Sequence, residues 1–182
     1  MVLYFITGNK HKLEEFNQIL FPEIKVEQLN IDLDEIQSTD PMEVIKHKLL
    51  EAQKHHKGEL LVEDTSLYLD ALNGFPGPLI KWFLNSVGRE GIYQITQKLN
   101  NSNCFAKTMV GYYNGKEILF FEGIVKGKIV APKSESEFGW DPLFMPEGKN
   151  QSFAEMSKEE KNSISHRKRA LEKFKEYYLS KK

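Results

Sequence analysis

Residues 104–130, CFAKTMVGYYNGKEILFFEGIVKGKIV, decide the fold class of this 182-residue chain. They are rich in β-branched and aromatic side chains, with Asn114-Gly115 in their middle. Asn-Gly between two such runs is the strongest short-range hairpin signal, because both residues accept the positive φ of a tight two-residue turn. The second half of the chain therefore contains an antiparallel strand pair. The first half alternates instead. Residues 2–6, VLYFI, form a short apolar run that reads as a buried strand. Leu13, Phe16 and Leu20 recur at helical spacing over residues 10–20, and Phe21-Pro22 ends that helix. Residues 24–31 read as a second strand. Asp40-Pro41-Met42-Glu43 predicts a helix start with a cap, a first-position proline and a capping box, and Ile45, Leu49 and Ala52 face inward along it. It runs to about His56, Gly58 stops it, and LLVED at 60–64 is another buried strand ending in two acids. Alternating elements followed by a hairpin imply an α/β fold with a mixed sheet.

The linking stretches are punctuated by turn chemistry. NGFPGP at 73–78 forces a turn, residues 79–87 and 91–99 read as helices separated by Gly88 and Gly91, and 100–103 is a loop. Residues 131–156 read as irregular. Ser157 and Glu160 offer a second capping box, and a final helix over about 165–179 puts Ala170, Leu171, Phe174 and Tyr178 on one face. One domain spanning 1–182 accommodates all of this. A chain of this length buries roughly 70% of its unfolded surface and needs no disulfide to fold. Cys104 is its only cysteine, which excludes an internal disulfide and a Cys-based zinc site and suits a reducing compartment. No apolar run approaches a signal peptide or a membrane span, so a cytoplasmic protein is expected. A net charge of −1 argues against a stable nucleic-acid partner.

Four constellations carry chemistry. Thr7-Gly8-Asn9-Lys10-His11-Lys12 joins a strand to a helix, where backbone N–H groups attract phosphate; the bland alternative is an ordinary turn with solvated lysines. Asp32, Asp34 and Glu35 share one loop, and Glu63-Asp64 end a buried strand, where carboxylates suit Mg²⁺. The first group alone would pass for a solvated loop, but the second follows Leu60-Leu61-Val62 and needs partners. Phe138-Gly139-Trp140-Asp141-Pro142 offers aromatic surface for a base, or simply pins a loop. Lys161 with Ser165-His166-Arg167 gathers donors at a helix start, or forms a basic helix face. From the residues alone this is a phosphate-binding α/β protein with a divalent metal.

Taken in order, these segments resemble the inosine triphosphate pyrophosphatase family. The matching pieces are TGNKHK at 7–12, DLDEIQ at 32–37, LLVEDTSL at 60–67, GFPGPLIKWF at 74–83, FGWDPLF at 138–144 and FAEMSKEEKNSISHRKRAL at 153–171. The likeness runs from Val2 to about Tyr178, and the VEDTSL form looks more like the eukaryotic branch than the bacterial one. The resemblance implies an elongated two-lobed α/β fold with a long mixed sheet, a central nucleotide cleft, and homodimers. It implies hydrolysis of ITP, dITP and XTP to the monophosphate and pyrophosphate with Mg²⁺, or Mn²⁺ in its place. It also implies roles. Thr7, Gly8, Asn9, Lys10, His11 and Lys12 would hold the triphosphate, with Lys12 also catalytic. Glu35 and Asp64 would bind the metal, and Asp64 would serve as proton acceptor, a task Glu63 could share. Lys48 and Lys81 would contact the nucleotide, and Thr65 a phosphate. Phe138, Gly139, Trp140, Asp141, Lys161, His166 and Arg167 would form the base pocket. Within it Arg167, always charged and with a planar fork, is the candidate donor to the purine 6-keto oxygen. Asp34 departs from the pattern, standing where proline is expected in DLPE-like relatives.

Two competing readings are a Maf-type nucleotide pyrophosphatase and a nucleotide- or RNA-binding module without catalysis. FGWD at 138–141 and SHR at 165–167 favour the first family over the Maf type. Against the binding module, the lysines of KRALEKFKEYYLSKK at 168–182 read as a solvated face, and the acids at 63–64 would repel phosphate without a metal.

Overall fold

The computed structural model describes residues 2–133 and 139–181. Its first strand, β1 (Leu3–Ile6), feeds through Thr7-Gly8-Asn9 into helix α1 (Lys10–Leu20). Asn9 starts that helix by accepting a hydrogen bond from the Lys12 N–H at 3.2 Å. Strand β2 (Val26–Leu29) follows, shorter than the 24–31 expected. Helix α2 (Pro41–His55) begins as predicted at Asp40, whose side chain accepts the Met42 N–H at 2.8 Å. Glu43 does not close the expected capping box, because its carboxylate accepts the Ser38 hydroxyl at 2.6 Å instead.

Strand β3 (Leu60–Leu69) runs five residues past the predicted end at Asp64. The reason is its partner. Strand β5 (Asn103–Tyr113) pairs antiparallel with β3 at every position from Leu60↔Tyr113 to Leu69↔Cys104. Pairing of β3 with β1 is parallel and covers just Leu60 and Leu61. Glu63 and Asp64 thus sit where β3 leaves the carboxyl end of β1, the place where open α/β sheets bind ligands. The predicted hairpin is present: β5 pairs with β6 (Ile118–Ile129) from Asn103↔Lys128 to Tyr113↔Ile118 around Asn114-Gly115.

A short β4 (Pro76–Gly77) pairs with β3, and β7 (Phe144–Pro146), unanticipated in a stretch read as irregular, pairs with β6. The sheet is mixed, with seven strands in the order β2-β1-β3-β5-β6-β7 and β4 beside β3. The two helices expected over 79–99 are present within α3 (Ile80–Lys98), separated by a kink at Gly88, where φ 71° and ψ 173° are open to glycine and strained for other residues. Gly91 interrupts nothing. Ser157 and Glu160 form the predicted capping box of α4 (Lys158–Ile164), and α5 (His166–Ser180) follows.

The sheet separates two hydrophobic layers. On one face α1 and α5 cover Leu3, Phe5, Leu61 and Val110, with Phe16, Leu20, Ala170, Leu171, Phe174 and Tyr178 buried against them. On the other, Ile45, Leu49 and Ala52 of α2 cover Ile6, Leu60, Val62 and Met109. A third cluster, around Leu67, Ile92, Ala106, Val125, Leu143 and Phe144, forms the far lobe. Helix α5 lies so close to β6 that a Cβ on Gly123 would overlap the His166 carbonyl and the Ala170 nitrogen. Among the described residues, no helix is long and apolar enough to cross a membrane.

Candidate active site

Consecutive strand residues point to opposite faces of a sheet. Glu63 and Asp64 therefore face different helices, and each meets cations from its own side. On the α2 face, Lys48 donates to Asp64 Oδ1 at 2.9 Å, to the Glu63 carbonyl at 3.4 Å, and pairs with Glu35 Oε1 at 3.0 Å. Lys48 is buried and is held by two carboxylates. Burial pulls its ammonium down, but Asp64 and Glu35 outweigh this and raise it, so it carries a charge. Burial raises the Asp64 carboxyl above the usual aspartate range, opposed by Lys48 and Lys12. Glu35 is half-exposed on its loop; burial raises its carboxyl, and Lys48 brings it below the ordinary value.

On the α1–α5 face, Glu63 is almost wholly buried, with 1% of its side chain exposed. Its Oε1 pairs with the Lys12 ammonium, and its Oε2 accepts from Arg167 Nε at 3.0 Å. Burial would raise this carboxyl, yet Arg167 and Lys12 hold it well below the usual carboxylate range. Arg167 also bonds Glu15 and donates to Thr65 Oγ1 at 3.3 Å. Lys161 continues the chain of alternating charge, pairing with Asp141 and lying 3.6 Å from Glu15. Burial raises the Asp141 carboxyl against the pull of Lys161.

Thr7, Gly8, Asn9, Lys12, Glu35, Lys48, Asp64, Thr65 and Lys81 all line one cleft of about 940 Å³. Gly139 and Trp140 also line it, and Arg89 Nε donates to the Gly139 carbonyl at 2.8 Å, tying that loop to α3. Lys10 is exposed and not among the cleft-lining residues; His11 lies outside the cleft beside Glu14, because neighbouring helix positions are turned about 100° from Lys12. Asp141, Lys161, His11 and Glu15 line a smaller cavity of about 350 Å³ between α1 and the turn at Phe153–Glu155. His166 is buried between the rings of Trp140 and Phe153, at 5.5 and 5.8 Å, and its Nδ1 has no hydrogen-bond partner among the described residues. Burial, reinforced by Arg167 and Lys161, lowers its pKa far enough to keep it neutral. Arg167 is 1% exposed and is not among the cleft-lining residues. Phe138 lies outside the described residues.

Glu15 was missed from the sequence although it takes part in two ion pairs. A signal existed: it lies three residues after Lys12, on the same face of α1. No group of three or more His, Cys, Asp or Glu gathers as a metal cage among the described residues. Glu35 and Asp64 are the cleft carboxylates that could hold Mg²⁺, a hard ion that keeps several waters and takes other oxygens from phosphate, and Lys48 pairs with both.

The Ham1 family model matches residues 3–177. An inosine triphosphate pyrophosphatase of Schizosaccharomyces pombe is 42% identical over 182 residues, covering 99% of this chain and 96% of that protein. One of Neurospora crassa is 46% identical over 179 residues, covering 97% and 92%. The solved structure of the Staphylococcus aureus Ham1 protein superposes with a TM-score of 0.82 at 25% identity and full coverage of both chains. A HAM1 protein from Coxiella burnetii, at 20% identity and 99% coverage of each, shares the fold with a TM-score of 0.85.

Proposed function

The chain belongs to the Ham1 family, and from that membership we propose that it is a nucleoside triphosphate pyrophosphohydrolase acting on ITP, dITP and XTP. It splits them between the α- and β-phosphates into the monophosphate and pyrophosphate, clearing nonstandard purine nucleotides from the pool. The observation that carries this reading is the cleft floor, where Lys48 bridges Glu35 and Asp64 while Lys12 emerges from the opposite face of β3. Lys12, Lys48 and Lys81 supply positive charge to the triphosphate, where charge builds in the transition state. Asp64 faces the cleft and accepts the proton of the attacking water. Glu63 does not share that task, because both of its oxygens are committed to Lys12 and Arg167. Glu35 and Asp64 would hold Mg²⁺ or Mn²⁺, which supplies further charge neutralisation when bound. Trp140, which lines the cleft, supplies aromatic surface toward the base.

The test is a product assay. ITP should yield IMP and pyrophosphate; IDP and orthophosphate as first products would refute the reading. A panel of nucleoside triphosphates then orders the substrates. Removing divalent cations with a chelator should abolish turnover, and Mg²⁺ or Mn²⁺ should restore it; full activity in the chelated sample would remove the metal from the scheme. Family resemblance further leads us to place the protein in solution as a homodimer. Light scattering at micromolar concentration should give twice the 21.1 kDa chain mass, and the monomer mass would contradict this. Cys104, a buried free thiol, accords with the cytoplasm as its compartment.

A further inference from the structure

We propose that Glu63 is a positioning residue for Lys12: it fixes the lysine ammonium on the cleft floor and is itself fixed by Arg167, so that α5 acts on the phosphate end of the site through one carboxylate. This rests on the hydrolase reading above. A lysine side chain has four rotatable bonds and loses much of its rotamer freedom when held in one place. Charge already aimed at the reacting phosphate is worth more than charge that must be gathered at the moment of reaction. Helix α1 fixes the Lys12 backbone, and Glu63 Oε1 is the ion-pair partner of its ammonium, whose side chain remains 23% exposed toward the cleft. Glu63 cannot drift, because Arg167 holds Oε2 through Nε at 3.0 Å and approaches Oε1 through a terminal nitrogen at 3.4 Å.

Arg167 is immobilised in turn by Glu15 on α1 and by Thr65 on β3. The arrangement also keeps Lys12 away from Asp64. The two carboxylates project from opposite faces of β3, and Lys48 occupies Asp64. Asp64, one residue along the strand and already acted on by the Lys12 charge, would compete for a Lys12 released from Glu63. Pairing there would draw the cation off the phosphate and engage the proton acceptor together.

Glu63→Gln tests the link. The amide can still accept from Arg167 Nε, but it gives Lys12 no anionic anchor. With ITP as substrate, kcat should fall on the order of tenfold, short of the roughly hundredfold or more lost when such a group is removed outright, because the lysine is displaced and not deleted. KM should be unchanged or lower, since a released lysine still attracts the triphosphate. Glu63→Asp, which keeps the charge, should recover part of the lost kcat. In a double-mutant cycle with Lys12→Met, the double variant should be no slower than Lys12→Met alone within about twofold, because Glu63 acts through Lys12. Independent, multiplying losses would overturn the proposal, as would a raised KM with kcat intact. Should Glu63→Gln fail to fold by circular dichroism, Glu63→Asp enters the cycle in its place. A wild-type chain that releases no pyrophosphate from ITP refutes the hydrolase reading and leaves the link measurable. Calorimetric binding of inorganic tripolyphosphate then replaces turnover, and any change made by Glu63→Gln should vanish in the Lys12→Met background. Persistence of that change would overturn the link by itself.

Discussion

Asp64→Asn is expected to lower kcat for ITP by at least about a hundredfold, the usual loss for a proton-transfer group. Asparagine has nearly the same shape, and its side-chain oxygen can still accept the 2.9 Å hydrogen bond from Lys48. Lys48 also keeps Glu35 as its charged partner at 3.0 Å. The substitution therefore takes away negative charge and proton affinity while leaving the cleft floor packed. Far-ultraviolet circular dichroism and the melting temperature should stay close to wild type. The measurement is kcat at saturating ITP and Mg²⁺. Near wild-type turnover would remove Asp64 from the chemistry and return the question to Glu35.

Arg167→Ala is expected to act first on stability. The sequence reading puts Arg167 at the base edge as donor to the 6-keto oxygen. In the structure its guanidinium is engaged by Glu63, Glu15 and Thr65 and is 1% exposed. Deleting it leaves the Glu63 carboxylate inside the protein with one cation fewer. Removing one partner of a buried ion pair costs about 3–5 kcal/mol. For a chain of this size that corresponds to a melting temperature lower by on the order of 10 °C. The sign with pH follows from Glu63. Its carboxyl is lowered on folding, so the stability it contributes is present above the unfolded carboxylate pKa and is lost as pH falls toward the folded value. Arg167→Ala removes the main cause of that lowering after burial is overcome. The stability gap between the two proteins should thus be widest near neutral pH and narrow on acidification. A melting temperature within a degree of wild type at pH 7 would show that Arg167 is not what holds Glu63.

Features set by neighbours a few residues apart were legible in the chain itself. The spacing of Leu13, Phe16 and Leu20 marked α1, and the Phe21-Pro22 step its end at Leu20. Asn114-Gly115 placed the hairpin turn, and the spacing of Ala170, Leu171, Phe174 and Tyr178 identified the buried face of α5. The strand through Leu60, Leu61 and Val62 marked Glu63 and Asp64 as acids needing partners, and alternation alone sends those two side chains to opposite faces.

Which helix covers each face belonged to the tertiary structure. Strand β3 reaches Leu69 because β5 offers it a complete ladder, a partner that no local signal in LLVED contains. Glu15 meets Arg167 across 152 residues, and Arg167 meets Glu63 across 104. Those distances close only once strand order has laid α1 and α5 side by side on one face of the sheet. Periodicity and capping depend on the i to i+4 geometry of a short segment, whereas an ion pair between remote helices depends on how whole layers stack. The acids of β3 could be read along the chain; which cations meet them on each of its two sides came from folding.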